Sequence, residues 1–204
     1  WPANLIHDGS DEVLAAFPQI LERQHAANRE LFHQYRPDMH WTGDAAVDHK
    51  GMIFGQVALG TALCELLAEF GVRPSASLGY SLGESAAFFG LGAWPDRDEM
   101  LERMRQSPLF GSDLVFPFDA ARIRWQIPAP QPVPWLSGVI DRGADDVRRA
   151  IGEQSRVALL IINTDRQCVI GGERSAIEDV VRRLGSNFVP LPSPSTVHCD
   201  VLRA

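Results

Sequence analysis

The feature that most constrains the fold is the segment SLGYSLGESAAFFGLGAW, residues 77–94. The apolar stretch that leads into it is short enough for one buried strand, and the stretch after Ser81 reads as a helix rich in alanine and phenylalanine. Ser81 stands at the junction, between Gly79 and Gly83. A strand, a tight turn and a helix in this order are typical of a nucleophile elbow, where the turn lifts a serine oxygen above a sheet.

The residues around Ser81 fit nucleophilic chemistry. Gly79 and Gly83 are expected to remove Cβ atoms that would collide in so sharp a turn. The backbone N–H of Leu82 would then point to where an oxyanion forms. Because serine is a weak nucleophile, it needs a base such as histidine. A serine in an ordinary glycine-containing loop gives the same short pattern, so the pattern alone leaves both interpretations open.

The first half of the chain is predicted to be mostly helical. Apolar spacing predicts one helix over residues 10–35, which Pro18 kinks or restarts, and a second helix over 51–71 that ends at Gly71. A loop is predicted over 36–50, and a buried strand over 72–80 that runs into the serine.

The second half has a different hydropathy rhythm. A proline-rich linker at 127–134 precedes a region, roughly 132–192, that reads as strand, helix, strand, strand, helix, strand. This order is the split βαβ pattern of a small ferredoxin-like unit. The predicted strands are 132–141, 157–163, 167–173 and 187–192, and the predicted helices are 143–154 and 174–184.

Composition excludes some classes of function. The formal net charge of −7 and the lack of a basic stripe argue against nucleic-acid binding. No apolar run approaches the length needed to cross a bilayer, so no membrane span is expected. Three widely spaced cysteines without a CxxC pair, and six scattered histidines, predict neither disulfides nor a metal site. Such cysteine usage favours a reducing cytoplasm.

Together these features resemble the acyltransferase domains related to malonyl-CoA:acyl-carrier-protein transacylase, found alone and inside fatty acid and polyketide synthases. Members have Gly-His-Ser-x-Gly-Glu at the elbow, and residues 79–84 read Gly-Tyr-Ser-Leu-Gly-Glu. Members carry Asn-Ser-Pro-x-Gln-x-Val-Ile-x-Gly, which NTDRQCVIGG at 163–172 resembles. A ferredoxin-like subdomain separates their nucleophile from a histidine that follows a proline-rich strand, as the predicted one separates Ser81 from His198.

The resemblance implies an α/β fold in two parts. A hydrolase-like subdomain with a parallel sheet would comprise residues 1–126 and 193–204, and the inserted ferredoxin-like subdomain would comprise 127–192. Members also have an initial strand with a Gly-Gln-Gly loop, and strands beyond the histidine. The expectation is therefore that the second oxyanion donor and the residue that orients the histidine are outside these 204 residues.

The resemblance implies acyl transfer in two steps. His198 would accept the Ser81 proton while Ser81 attacks an acyl-CoA thioester, and the phosphopantetheine thiol of an acyl carrier protein would then take the acyl group. Acyl-CoA is thus a substrate, and no bound cofactor is expected. The expected partners are the carrier protein and neighbouring synthase domains such as a ketosynthase, in a cytoplasmic multidomain enzyme.

The resemblance also assigns candidate substrate-binding residues. Tyr80 replaces the family's histidine before the nucleophile, and Asn163 and Val197 lie in the two downstream motifs. Malonyl-type members hold the acyl carboxylate with an arginine about 25 residues after the serine. Counting without gaps places Gln106 there and Arg105 one residue earlier. Either the alignment slips by one residue, or the clamp is missing and an uncharged acyl group is favoured.

Two other classes of function stay open. An α/β-hydrolase-type esterase or thioesterase shares the elbow but needs an acid between Ser81 and His198, for which Asp141, Asp145 and Asp165 are available. A non-catalytic acyltransferase-like module that docks a carrier protein would need neither residue. Formation of an acyl-enzyme separates the enzymes from the docking module, and transfer to a carrier rather than to water separates transferase from esterase.

Overall fold

A computed structural model of the chain describes residues 10–35, 49–192 and 194–203. The loop predicted over 36–50 lies mostly outside these described residues. The chain forms two compact units, Trp1–Gln106 and Ser107–Ala204. The boundaries predicted for the hydrolase-like and ferredoxin-like subdomains differ from this division and stay a prediction.

The described part of the first unit is helical. Its long central helix contributes many of the unit's buried residues, among them Phe54, Val57 and Ala58. The helices are α1 (Ser10–Ala16), α2 (Pro18–Ala27), α3 (Leu31–Tyr35), α4 (His49–Glu69), α5 (Leu82–Gly90) and α6 (Arg97–Gln106).

The prediction of one helix over 10–35 is wrong, because the segment forms three helices. Pro18, which lacks an amide hydrogen, is the first residue of α2, as proline often is. Asn28 leaves the helical conformation with φ −137° and ψ 113°. The Asp98 carboxylate then accepts the amides of Arg29 (2.8 Å) and Glu30 (3.2 Å) just before α3. This acceptor is distant in sequence, which is why local spacing could not predict the break.

Helix α4 confirms the second predicted helix, and Gly71 follows it with φ +80°. The amide of Val72 donates to the Leu67 carbonyl at 3.0 Å, which closes the helix end. The same helix is long and apolar enough to cross a bilayer, with mean hydropathy 1.5, contrary to the expectation that no apolar run approaches that length. Half of that window is buried inside the unit, and core helices of soluble proteins pass the same test, so it is weak evidence of a span.

The buried strand predicted over 72–80 is also wrong, because these residues belong to no helix or strand. Within the first unit, the described residues include no other strand with which it could pair, and Pro74 lacks an amide hydrogen. Leu78 is 98 % exposed instead of buried. No parallel sheet is present in the described residues.

The second unit has the predicted order of strands and helices, and two of its elements, 167–173 and 174–184, begin and end at the predicted residues. The elements of the sheet region are β1 (Trp135–Ile140), α8 (Ala144–Ile151), β2 (Val157–Thr164), β3 (Gln167–Glu173), α9 (Arg174–Leu184) and β4 (Phe188–Pro190). They are flanked by α7 (Asp119–Trp125) and by two 3₁₀ turns, Pro108–Phe110 and Asp200–Leu202.

The four strands form one antiparallel sheet in the order β2-β3-β1-β4. In the centre, Trp135 pairs with Glu173 and Ile140 with Cys168. Gly138 pairs with Pro190 at the β4 edge, where any Cβ would collide with the Phe188 ring. The protein is thus mixed α/β, with its described sheet entirely in the second unit.

Successive side chains of a strand point to opposite faces, and a buried cluster lies on each face of this sheet. On one face an apolar cluster joins the sheet to α8 and α9, and on the other a cluster with three aromatic residues joins Trp135 to α7 and to the 3₁₀ turn at Asp200–Leu202. The first cluster is Ile140, Val147, Val157, Cys168, Ile170, Ala176, Ile177 and Val180. The second, called the tryptophan cluster below, is Phe118, Ala121, Trp125, Ile127, Val133, Trp135 and Val201.

Candidate active site

The predicted sharp turn is present at Ser81. Its backbone has φ 51° and ψ −120°, and the residue is exposed immediately before α5. The amide of Gly83 donates to the Tyr80 carbonyl (2.9 Å), and that of Glu84 donates to the Ser81 carbonyl (3.0 Å). A residue with a side chain adopts such a conformation at a cost of about 1–3 kcal/mol, and strain of this kind is concentrated at functional sites.

The two flanking glycines are required to different degrees. A Cβ on Gly79 would lie 2.6 Å from the Gly83 carbonyl carbon and closer still to the Glu84 backbone. A Cβ on Gly83 would meet no atom within 4 Å. The prediction of a steric requirement is therefore confirmed for Gly79 and wrong for Gly83, whose missing Cβ faces open space.

The residues on either side of Ser81 have distinct surroundings. Leu82 is the first residue of α5, and the first amides of a helix have no carbonyl partner within it. The positive end of the helix dipole also favours negative charge there. Tyr80 is 49 % exposed, and partial burial raises the pKa of its hydroxyl. Their roles as oxyanion donor and substrate contact stay predictions.

A small cavity of about 40 Å³ lies between α4 and α5, beside the elbow. Most of its lining is apolar, and its polar member, Gln56, is only 8 % exposed. Gln56 was not among the predicted site residues, and its signal would have been a glutamine within a mostly apolar stretch of α4. The lining residues are Gln56, Leu59, Gly60, Leu63, Leu82, Gly83 and Ala86.

Small residues bring α4 and α5 close together beneath the elbow. A Cβ on Gly60 would lie 3.3 Å from the Ala86 Cβ, and one on Gly90 would lie 2.7 Å from the Cys64 sulfur. Each helix thus presents two small residues four positions apart, on one face. This matched spacing is visible in the sequence and could have predicted the contact.

Arg105 and Gln106, the two candidates for a carboxylate clamp, are adjacent at the end of α6. The Arg105 guanidinium donates from both Nη atoms to Glu30 Oε2, at 3.4 and 3.3 Å. Gln106 donates to Glu102 Oε1 at 2.6 Å on its own helix. At 3.6 residues per turn, Arg105 lies about 80° around the helix from buried Arg97, and Gln106 lies on the opposite side. Of the two, Arg105 is therefore nearer the buried face.

In the second unit, His198 is exposed in a turn with φ 60°, and Val197 beside it is also exposed. Asn163 lies near the end of β2, where its side-chain amide donates to Gln167 Oε1 at 3.3 Å. Gln167 donates in turn to Asp141 Oδ1 at 3.3 Å. The site residues are thus divided between the units, and the contact of Ser81 with His198 stays a prediction.

The described residues give no sign of metal or thiol chemistry. They contain no group of three or more His, Cys, Asp or Glu side chains that could hold a metal ion. Burial raises the pKa of the thiols of Cys64, Cys168 and Cys199. A thiol with a raised pKa is less often the reactive thiolate, which fits Cys199 as a residue that packs against the tryptophan cluster.

No protein-family model matches the sequence. Several solved structures are similar to the chain, at low sequence identity. The acyltransferase domain of the polyketide synthase PpsC of Mycobacterium tuberculosis is 19 % identical, with a TM-score of 0.64, and the match covers 96 % of this chain and 57 % of that one.

Two further structures agree with this match. The acyltransferase domain from the second module of the salinomycin polyketide synthase is 23 % identical, with a TM-score of 0.67 and coverage of 95 % and 43 %. The malonyl CoA-acyl carrier protein transacylase from Clostridium perfringens is 18 % identical, with a TM-score of 0.69 and coverage of 99 % and 62 %. The chain therefore spans less than two thirds of the length of each of these proteins. It has the fold of acyltransferase domains of polyketide synthases and of a malonyl CoA-acyl carrier protein transacylase.

Proposed function

We propose that this chain is an acyltransferase that moves an acyl group from coenzyme A to the phosphopantetheine thiol of an acyl carrier protein within a synthase. The observation that supports this most is the backbone of Ser81, whose φ of 51° and ψ of −120° precede α5 in a chain with the acyltransferase fold. An ordinary loop serine has no need of a strained turn at a helix start, and a docking module has no use for one.

In the first step, the Ser81 oxygen bonds to the acyl carbon as His198 accepts the hydroxyl proton. The carbon–sulfur bond of the thioester breaks, and the proton passes to the coenzyme A thiolate. The backbone amide of Leu82 stabilises the oxyanion. In the second step, the carrier thiol attacks the serine ester while His198 accepts its proton, and that proton returns to Ser81.

The division of the chain fits this proposal. We assign the antiparallel sheet with α8 and α9 to the ferredoxin-like subdomain, because its strands follow a βαββαβ order with β1 and β3 in the centre. We assign the elbow region to the hydrolase-like subdomain. In this proposal His198 is the base for Ser81, and Asn163, Val197 and Tyr80 contact the acyl group.

Arg105 is the better candidate than Gln106 for holding an acyl carboxylate. It flanks the buried face of α6, and its guanidinium already donates to one carboxylate, that of Glu30, at 3.3 Å. Arginine is positively charged and binds a carboxylate through two parallel hydrogen bonds, whereas glutamine carries no charge. We therefore favour the one-residue slip, and with it a malonyl-type donor over an acetyl-type donor.

The test is a transfer assay with purified protein, labelled malonyl-CoA or acetyl-CoA, and an acyl carrier protein bearing phosphopantetheine. We expect label on the carrier, malonyl in preference to acetyl, and loss of transfer in Ser81→Ala and His198→Ala. Arg105→Gln should reverse the preference for malonyl, whereas Gln106→Ala should leave it unchanged. Release of free acid at the same rate with and without carrier would instead support an esterase.

A further inference from the structure

The backbone at His198 needs an explanation in its own right. His198 has φ 60°, in the left-handed region that non-glycine residues occupy at a cost of about 1–3 kcal/mol. The side chain is exposed. The residues on either side of His198 make contacts that hold the turn in place.

Thr196 holds the turn on its N-terminal side. It is 0 % exposed, and its amide donates to the Leu114 carbonyl at 2.8 Å. Its hydroxyl oxygen Oγ1 donates to the Asp113 carbonyl at 3.1 Å, with the Leu114 carbonyl at 3.4 Å. A fully buried hydroxyl is tolerated only when it is hydrogen-bonded, and this one bonds to a different segment.

Two other contacts keep the flanks of the turn in place. The Trp135 indole N–H donates to the Ser195 carbonyl at 3.1 Å, and Trp135 stacks on Trp125 with ring centroids 5.5 Å apart. On the C-terminal side, Val201 is buried in the tryptophan cluster. The two exposed residues, Val197 and His198, thus lie between two anchored points.

The segment that receives Thr196 is itself well fixed. Leu114 is buried, and its amide donates to the Leu109 carbonyl at 3.0 Å. The amide of Asp119 donates to the Ser112 carbonyl at 2.8 Å, which closes the loop against the start of α7. The Asp113 carbonyl is therefore a fixed acceptor rather than part of a loose surface loop.

We propose that Thr196 is a positioning residue for His198: its buried hydroxyl ties the histidine turn to the Asp113 carbonyl and thereby sets the orientation of the imidazole. This inference rests on the proposed role of His198 as the base. It separates the functions of neighbouring residues, since Val197 is exposed where a substrate could contact it and Thr196 points inward. Position 196 is then expected to govern rate, and position 197 acyl selection.

The test compares Thr196→Val, which replaces the hydroxyl by a methyl group, with Thr196→Ser, which keeps the hydroxyl and removes the methyl group. Thr164→Val, at an exposed threonine at the end of β2, is the matched control. We expect T196V to lower the kcat of transfer from malonyl-CoA about tenfold or more with KM unchanged, because a misplaced base affects the transition state. T196S should recover to within about threefold of wild type, and the control should match wild type.

Hydrogen exchange read by mass spectrometry on peptides covering 194–203 supplies a readout that does not need activity. We expect faster exchange in T196V, wild-type exchange in T196S, and unchanged exchange in β3. Thr196→Ala, which places no methyl group against the carbonyls, takes the place of T196V if that variant does not fold.

The outcomes separate this inference from the proposed function. Wild-type kcat and exchange in T196V, with an inactive His198→Ala, would overturn the role of Thr196 alone. An active His198→Ala would overturn His198 as the base and, with it, Thr196 as its positioning residue. A slower T196V that T196S fails to rescue would also contradict the inference, because the methyl group rather than the hydroxyl would then matter.

Discussion

The two units are stabilised by different kinds of contact. In Ser107–Ala204, apolar clusters cover both faces of one sheet. In Trp1–Gln106, several helices meet at a buried guanidinium: Arg97 is 2 % exposed and donates to Asn28 Oδ1 at 3.1 Å and to Gln24 Oε1. Gln24 donates in turn to Glu65, so an amide joins the positive and negative charges. The first unit thus adds a buried polar network to an apolar core that includes Leu14, Ile20 and Ala62, whereas apolar clusters dominate the second unit.

The charges differ in the same way. Ser107–Ala204 contains 11 arginines and 11 acidic residues, whereas Trp1–Gln106 contains 8 basic and 15 acidic residues. The whole net charge of −7 therefore belongs to the first unit.

Burial lowers the pKa of the Arg97 guanidinium, while Tyr35, Glu65 and Asp98 raise it. Arg97 is therefore the residue on which we expect the stability of the acidic first unit to depend most.

The largest effect is expected from Arg97→Ala. Removing the buried guanidinium takes away the donor to Gln24 Oε1 and Asn28 Oδ1, which should lower the free energy of unfolding by about 3–5 kcal/mol. Arg103→Ala, which removes an exposed pair with Glu99 on the same helix, is the control and should change little. Urea unfolding of both variants measures this, and equal stability of the two would contradict the polar-network account.

The second effect concerns the elbow and is read as activity. Gly79→Ala should slow acylation of Ser81 about 100-fold, because the new Cβ displaces the backbone of Gly83 and Glu84. Gly83→Ala should stay within about threefold of wild type, since its Cβ meets open space. Single-turnover acylation rates of the two variants form the comparison. Equal losses would show that the turn does not depend on the close approach at Gly79.

A smaller effect tests the apolar unit. Ile177→Val removes one methyl group from a fully buried position and should cost about 0.5–1.5 kcal/mol. Ile162→Val, on the edge strand β2 and half-exposed, should cost less than about 0.5 kcal/mol. Thermal or urea unfolding of the two variants measures both losses of stability. An equal loss at both positions would mean that the apolar cluster between the sheet, α8 and α9 is not the source of the unit's stability.

The smallest effect near neutral pH is expected at Tyr35. Burial raises the pKa of Tyr35 to about 12, so the fold favours the neutral phenol. Its contribution to stability is complete below the ordinary tyrosine pKa of about 10 and is lost as pH rises from there to about 12. Tyr35→Phe should flatten the decline in stability over that range, and Tyr80→Phe should flatten it less. An unchanged decline in Tyr35→Phe would place the alkaline sensitivity elsewhere.

The sheet unit was predictable because each of its elements carries a local signal. Alternating or continuous apolar runs bounded by Gly152, Gly185 and a two-residue turn determine where its strands and helices end. In the first unit, the break before α3 depends on the Asp98 carboxylate, about 70 positions away in sequence, and local spacing carries no trace of it. The strand predicted over 72–80 has no pairing partner among the described residues of its unit, which propensity cannot reveal.

The candidate site was likewise predictable only in part. The turn at Ser81 followed from glycine spacing and hydropathy, and its φ of 51° agrees with it. The sequence could not show that Gly79 rather than Gly83 is sterically required, because this requirement depends on where the Glu84 backbone lies. The importance of Thr196 was likewise hidden, since its partner Asp113 belongs to a distant loop.

The most direct test of the central claim is intact-protein mass spectrometry after incubation with malonyl-CoA. The account predicts a malonyl adduct on the wild-type protein and on Ser85→Ala, a matched variant one helical turn away, and no adduct on Ser81→Ala. An adduct that persists in Ser81→Ala would contradict the assignment of Ser81 as the nucleophile. Absence of an adduct on the wild type with malonyl-CoA, acetyl-CoA and a medium-chain acyl-CoA alike would contradict the acyl-enzyme mechanism.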